Sequence, residues 1–91
     1  MGGGMEATLK VYGAMTCGDT LRVRHFLRLR RIPYEWFGVD EDPEALKLIK
    51  RVNNGQRTPP TIFLKDGTIL FEPSDEELAR RLGLKPTMRL A

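Results

Sequence analysis

The sequence predicts an α/β domain built on a mixed four-stranded sheet with three helices, in the order β-α-β-α-β-β-α. Three observations carry that expectation: a β-α-β opening whose helix stops at Ile32-Pro33, an Asp66-Gly67 turn between two β-rich runs, and cap signals ahead of both later helices. A β-α-β opening favours parallel strands joined by a right-handed crossover, and a closing hairpin adds antiparallel strands to the same sheet.

The elements follow in order. Thr8 to Tyr12 (TLKVY) alternates apolar and polar residues and meets Gly13, which reads as a short strand ending in a loop. From Gly18 to Arg31, Val23, Phe26 and Leu27 recur at helical spacing, with Leu21 a further inward candidate. Ile32-Pro33 ends this helix because the residue before proline is pushed out of the helical region. Tyr34 to Val39 (YEWFGV) is a second strand, with Phe37 and Val39 directed to the core and Tyr34 and Trp36 to the outer sheet face. Asp42-Pro43-Glu44 supplies an N-cap, an N1 proline and a first-turn acid. The helix it starts turns Ala45, Leu48, Ile49 and Val52 inward and stops at Asn53-Asn54-Gly55. Thr61 to Leu64 and Thr68 to Phe71 form a hairpin across Lys65-Asp66-Gly67. Ser74 and Glu77 make a capping box ahead of Leu78 and Leu82, with Gly83 as the stop.

Composition bounds the class. A chain of 91 residues, 41% hydrophobic and 30% charged, fits one small globular domain rather than a disordered tail or a membrane protein. Residues 1–6 read as a flexible leader, since three consecutive glycines do not repay their ordering entropy, and residues 7–91 as a single domain. No stretch approaches the roughly 18 apolar residues of a membrane helix, and the N-terminus lacks the apolar segment of a signal peptide. One cysteine allows no internal cross-link, which argues for a reducing compartment, the cytoplasm. The net charge of +3 comes largely from Arg22, Arg24, Arg28, Arg30 and Arg31. They fill polar positions of one helix without a basic loop or a row of stacking aromatics, so neither nucleic acid nor membrane is an expected partner. Such a face can still steer an acidic small thiol or protein. A monomer is expected.

The chemistry centres on Thr16-Cys17-Gly18-Asp19-Thr20, where Thr20 stands in the place that would complete a C-x-x-C. A thiol at the first turn of a helix faces unpaired backbone N–H groups and the positive end of the helix dipole, both of which favour the thiolate, the nucleophilic form. Thr20 is positioned to donate a hydroxyl hydrogen bond to that sulfur. Asp19 opposes the thiolate by like charge. Free cysteines are also often small buried hydrophobes, and the residues alone leave both readings open. A second unusual stretch is Arg57-Thr58-Pro59-Pro60-Thr61, with two prolines directly before an apolar strand. Pro60 fits there with a cis peptide in a tight turn, or with an ordinary trans bond leading into an edge strand.

These stretches in this order resemble the glutaredoxins of the thioredoxin superfamily over nearly the whole chain. The likeness is greatest to the short actinobacterial mycoredoxins. Their N-G-x-x-R-T-V-P-T is matched by NNGQRTPPT at Asn53 to Thr61, and their N-P-S-x-D-E is echoed by EPSDEEL at Glu72 to Leu78. The resemblance implies the thioredoxin fold, a nucleophilic Cys17 and a cis Pro60 facing it. It also implies a small thiol lying along the backbone before Pro60 at Thr58 and Pro59, with Arg57 for its carboxylate and Ser74 and Asp75 for its distal end. Two departures stand out. Pro59 replaces the family's valine and offers no backbone N–H. Thr20 replaces the resolving cysteine, leaving a monothiol route.

The expected function is therefore a monothiol oxidoreductase that reduces protein mixed disulfides or small-thiol disulfides. Cys17 and Thr20 would be catalytic and no cofactor tightly bound; glutathione, mycothiol or bacillithiol would be the co-substrate. Two other classes fit the pattern. C-G-D-T resembles the C-G-F-S signature of glutaredoxins that carry an iron–sulfur cluster between subunits, although Asp19 adds negative charge beside an anionic cluster. A redox-inert adaptor on the same fold is the other. His25, alone on its helix, reads as a surface residue, and Met15 as a groove-lining or gap-filling side chain.

Overall fold

The computed structural model describes residues 9–56 and 59–84. Among them lie β1 (Leu9–Gly13), α1 (Gly18–Leu29), β2 (Tyr34–Gly38), α2 (Pro43–Val52), β3 (Thr61–Phe63), β4 (Ile69–Phe71) and α3 (Asp75–Arg81). The leader expected at residues 1–6 falls outside the described residues, as do Arg57 and Thr58. The sheet order is β2-β1-β3-β4. β1 runs parallel to β2 and antiparallel to β3, and β3 runs antiparallel to β4, which is the mixed sheet expected from a β-α-β unit followed by a hairpin.

Strand alternation divides the buried side chains between the two sheet faces. On one face Leu9, Val11, Ile62 and Leu70 meet Val23, Phe26 and Leu27 of α1 and Leu78 and Ala79 of α3. On the other, Tyr12 joins Val39 and the Ala45 and Ile49 side chains of α2. Tyr12 stacks on Phe37 with ring centroids 4.5 Å apart and meets Phe63 edge-on at 5.2 Å. Such aromatic pairs add roughly 0.5–1.5 kcal/mol each beyond the area they bury.

Because both faces are covered, Tyr34 and Trp36 do not sit on an outer face as expected. They are half-buried against the α1 side, where Arg24 donates to the Tyr34 hydroxyl at 3.0 Å and lies 4.2 Å over the Trp36 ring. Leu21 also departs from expectation. It is 45% exposed, and the inward position on the first turn of α1 belongs to Thr20, which is fully buried.

Helix ends follow local chemistry. The Asp42 carboxylate accepts from the N–H groups of Glu44 at 3.0 Å and Ala45 at 3.3 Å, and Ser74 accepts from the Glu77 N–H at 3.0 Å. α1 ends before Pro33 for an additional reason. Arg31 takes a left-handed conformation (φ 58°), the Ile32 N–H donates to the Leu27 carbonyl at 2.9 Å, and the Arg31 N–H to that of Arg28 at 3.1 Å. This double bond pattern is a Schellman closure with arginine where glycine is usual.

Candidate active site around Cys17

β1 delivers the chain to one end of the sheet. After Gly13 it turns sharply, with the Cys17 N–H donating to the Ala14 carbonyl at 2.9 Å, and Cys17 becomes the N-cap of α1 in extended geometry (φ −99°, ψ 122°). The Cys17 carbonyl accepts the first helical bond, from the Leu21 N–H at 3.1 Å. The amides of Gly18, Asp19 and Thr20 in the turn beyond have no carbonyl within the helix to pair with. The thiol is half-buried and packs against the cluster of Tyr12, Ala14, Val39, Ala45 and Ile49. It therefore rests on an apolar floor without being enclosed by it, unlike the wholly buried cysteine the residues also allowed. Burial, then the nearby Glu35 and Asp42 carboxylates, push the Tyr12 phenol above its ordinary value.

The loop before β3 forms the opposite wall. The Pro59-Pro60 peptide is cis, and the Cys17 thiol lies 3.8 Å from the Pro59 carbonyl oxygen as a weak donor. Pro60 is fully buried, and its carbonyl accepts from the Glu72 N–H at 2.8 Å, which ties this loop to the end of β4. Pro59 presents an acceptor toward the thiol but has no N–H to donate.

Thr20 meets the loop backbone with its hydroxyl. Its hydroxyl oxygen accepts from the Ala14 N–H at 3.3 Å, and its methyl and hydroxyl press on Gly13. A Cβ on Gly13 would come within 2.6 Å of the Thr20 methyl, so glycine is required for this close approach. Thr20 thus braces the loop that carries Cys17; the hydrogen bond it makes goes to the loop backbone, not to the thiol.

Ser74 and Asp75, the residues expected at the distal end of a small thiol, open α3 beside the first turn of α1. Ser74 is exposed, with its hydroxyl accepting the Glu77 amide. The Asp75 carboxylate accepts from Arg22 at 2.7 Å. The Arg22 guanidinium also donates to the Pro73 carbonyl at 3.0 Å and reaches Asp19 at 3.5 Å. Arg22 was missing from the residues singled out for the site, because its partner Asp75 lies in a distant part of the chain. Asp19, read as a negative charge opposing the thiolate, is paired with this guanidinium. Met15, before the thiol, is 48% exposed and its sulfur lies against Arg24; His25 is exposed. Among the described residues no three His, Cys, Asp or Glu side chains are grouped to hold a metal ion.

The glutaredoxin family profile matches residues 9–69, from β1 to the start of β4. The chain belongs to the glutaredoxin family. A Mycobacterium tuberculosis H37Rv protein that carries the glutaredoxin name is 34% identical over 78 residues, 86% of this chain and 93% of its own. Mycoredoxin 1 of Corynebacterium glutamicum is 37% identical over 49 residues, 54% of this chain and 62% of its own. The crystal structure of a glutaredoxin from Methanosarcina mazei superposes with a TM-score of 0.71 at 22% identity, covering 86% of this chain and 80% of that one, which shows the thioredoxin-like fold. Glutaredoxins act on disulfides with small thiols, so membership supports a thiol–disulfide oxidoreductase function, and the single cysteine fits the monothiol form. No helix among the described residues is long and apolar enough to cross a membrane.

Proposed function

We propose that this glutaredoxin reduces mixed disulfides by a monothiol route through Cys17, with a low-molecular-weight thiol as reductant. The observation that carries this reading is the position of the sulfur, at the N-cap of α1 and across from the Pro59 carbonyl. In the first step the Cys17 thiolate attacks the small-thiol sulfur of a mixed disulfide. A new Cys17–S–S–R bond forms, the old S–S bond breaks, and the substrate thiol leaves as its thiolate. In the second step a second small-thiol thiolate attacks the R sulfur, releasing R–S–S–R and regenerating Cys17. The net change is R–S–S–X + R–SH → X–SH + R–S–S–R: one free small thiol is consumed, and the other half of the product disulfide comes from the substrate.

The apolar floor shields one side of the sulfur, which makes no cap bond to the first-turn amides in this state, and the positive end of the α1 dipole begins beside it. The small thiol lies along the Pro59 backbone with its distal end toward Ser74, near the start of α3. Glutathione, mycothiol and bacillithiol are the candidate reductants, and the substrates are protein or small-thiol mixed disulfides. The test is turnover of a peptide–small-thiol mixed disulfide by the native chain and by Cys17→Ser. The native chain turns over with each cycle consuming one free small thiol and forming one R–S–S–R. Turnover by the serine variant at the native rate would refute the reading.

A further inference from the structure

Arg22 is committed on three sides. One of its terminal nitrogens donates to Asp75 at 2.7 Å, and the other donates to the Pro73 carbonyl at 3.0 Å and faces Asp19 at 3.5 Å. Asp19 belongs to the first turn of α1 and Asp75 to the first turn of α3, so one guanidinium ties together the two helix starts that flank the thiol. The Arg22 side chain is 35% exposed and that of Asp75 45%, so the pair beside Ser74 is open to a molecule arriving from solvent.

A small thiol with a free α-ammonium would seek a carboxylate here. Asp75 is the carboxylate beside Ser74, but its inner oxygen is already engaged in a short charge-assisted bond. An ammonium must displace Arg22 or sit beside its like charge. A distal end that is acylated or built of hydroxyls meets neither cost. With two carboxylates to one guanidinium the cluster keeps one negative charge, so discrimination is modest.

We propose that Arg22 is a specificity-determining residue: by occupying Asp75 it removes the preference for a free distal ammonium that this carboxylate would otherwise confer, so that small thiols with an acylated or hydroxyl-bearing distal end are accepted equally. The inference rests on the oxidoreductase function proposed above and names the chemical class of the thiol.

The test uses two mixed disulfides of one reporter peptide, with glutathione and with glutathione N-acetylated on its free amine, which differ in a single ammonium. The native chain reduces the two with kcat/KM values within about threefold, and Arg22→Gln shifts the ratio about three- to fivefold toward the free-ammonium form, the range of a partly exposed ion pair. Arg22→Lys keeps the native ratio, and Arg22→Gln combined with Asp75→Asn loses the shift, which a mere loosening of α3 would not produce. The inference alone is overturned if the native chain favours the free ammonium more than about tenfold, or if Arg22→Gln leaves the ratio unchanged. If the native chain reduces neither disulfide, the oxidoreductase reading itself falls and takes this inference with it.

Discussion

In the proposed route the chemistry depends on one sulfur atom, with Thr20 bracing its loop and the Pro59 carbonyl facing it. Replacing the thiol by a hydroxyl removes the nucleophile while leaving the N-cap position occupied by a good capping residue, so Cys17→Ser is expected to fold and to reduce disulfides only at the uncatalysed rate. Thermal melting and a mixed-disulfide assay on the same preparation check both halves of that expectation. Thr20 is a different case. Since its oxygen accepts the buried Ala14 amide, Thr20→Val leaves that donor unpaired and costs about 1–3 kcal/mol of stability by chemical denaturation. Had Thr20 acted on the sulfur, the variant would instead lose activity at unchanged stability. Pro59 sets a third expectation. Pro59→Val restores a backbone N–H beside the thiol and lowers KM for the small-thiol disulfide about fivefold, the equivalent of about 1 kcal/mol for one added hydrogen bond. A KM unchanged in this variant would show that the thiol does not lie along the backbone there.

Among the elements, the helix caps and turns were the most legible parts of the sequence because their signals are local. Asp42-Pro43-Glu44, the Ser74 and Glu77 box and the Asp66-Gly67 turn each fold as their neighbours dictate. The C-terminus of α1 was half legible. Pro33 marked the stop, but nothing in the residue types showed that Arg31 would take the left-handed position. Arg31→Gly is expected to stabilise the protein by about 0.5–1 kcal/mol, because glycine adopts that conformation without the steric cost of a Cβ, offset in part by its greater unfolded-state entropy. A lower denaturation midpoint in this variant would contradict the closure described. The hairpin turn carries a pH dependence. The Thr68 backbone N–H, and after it the Thr68 hydroxyl, hydrogen-bond the Asp66 carboxylate and hold it below the ordinary carboxylate range. A depressed folded value means that the contribution is fully present above the unfolded value and is lost as pH falls through the folded one. Asp66→Ala therefore loses stability near neutral pH and shows a smaller further loss on acidification than the native chain.

For the molecule as a whole, the sheet order β2-β1-β3-β4 brings together, at one end, segments far apart in the chain: the turn after β1, the loop before β3 and the start of α3. The strands and helices could be read from periodicity, and their order predicted the mixed sheet. On and just after β2, Phe37 and Val39 turn inward as read, whereas the cover over Tyr34 and Trp36 was not legible because it comes from α1 and its Arg24. Cys17 and Pro60 stood out by residue type, yet their proximity and the cis geometry came into view through the resemblance to glutaredoxins rather than through spacing. The Arg22–Asp75 pair was invisible for a related reason: a charged residue on a helix carries no mark of the distant partner that holds it.

The measurement that tests the central claim most directly is intact mass of the reduced chain after brief exposure to a small-thiol disulfide, followed by addition of the free thiol. The monothiol route predicts one adduct per chain, located on Cys17, that is discharged by the free thiol and does not form on Cys17→Ser. A native chain that forms no adduct under conditions where a free cysteine peptide does, or an adduct that the small thiol fails to remove, would contradict it.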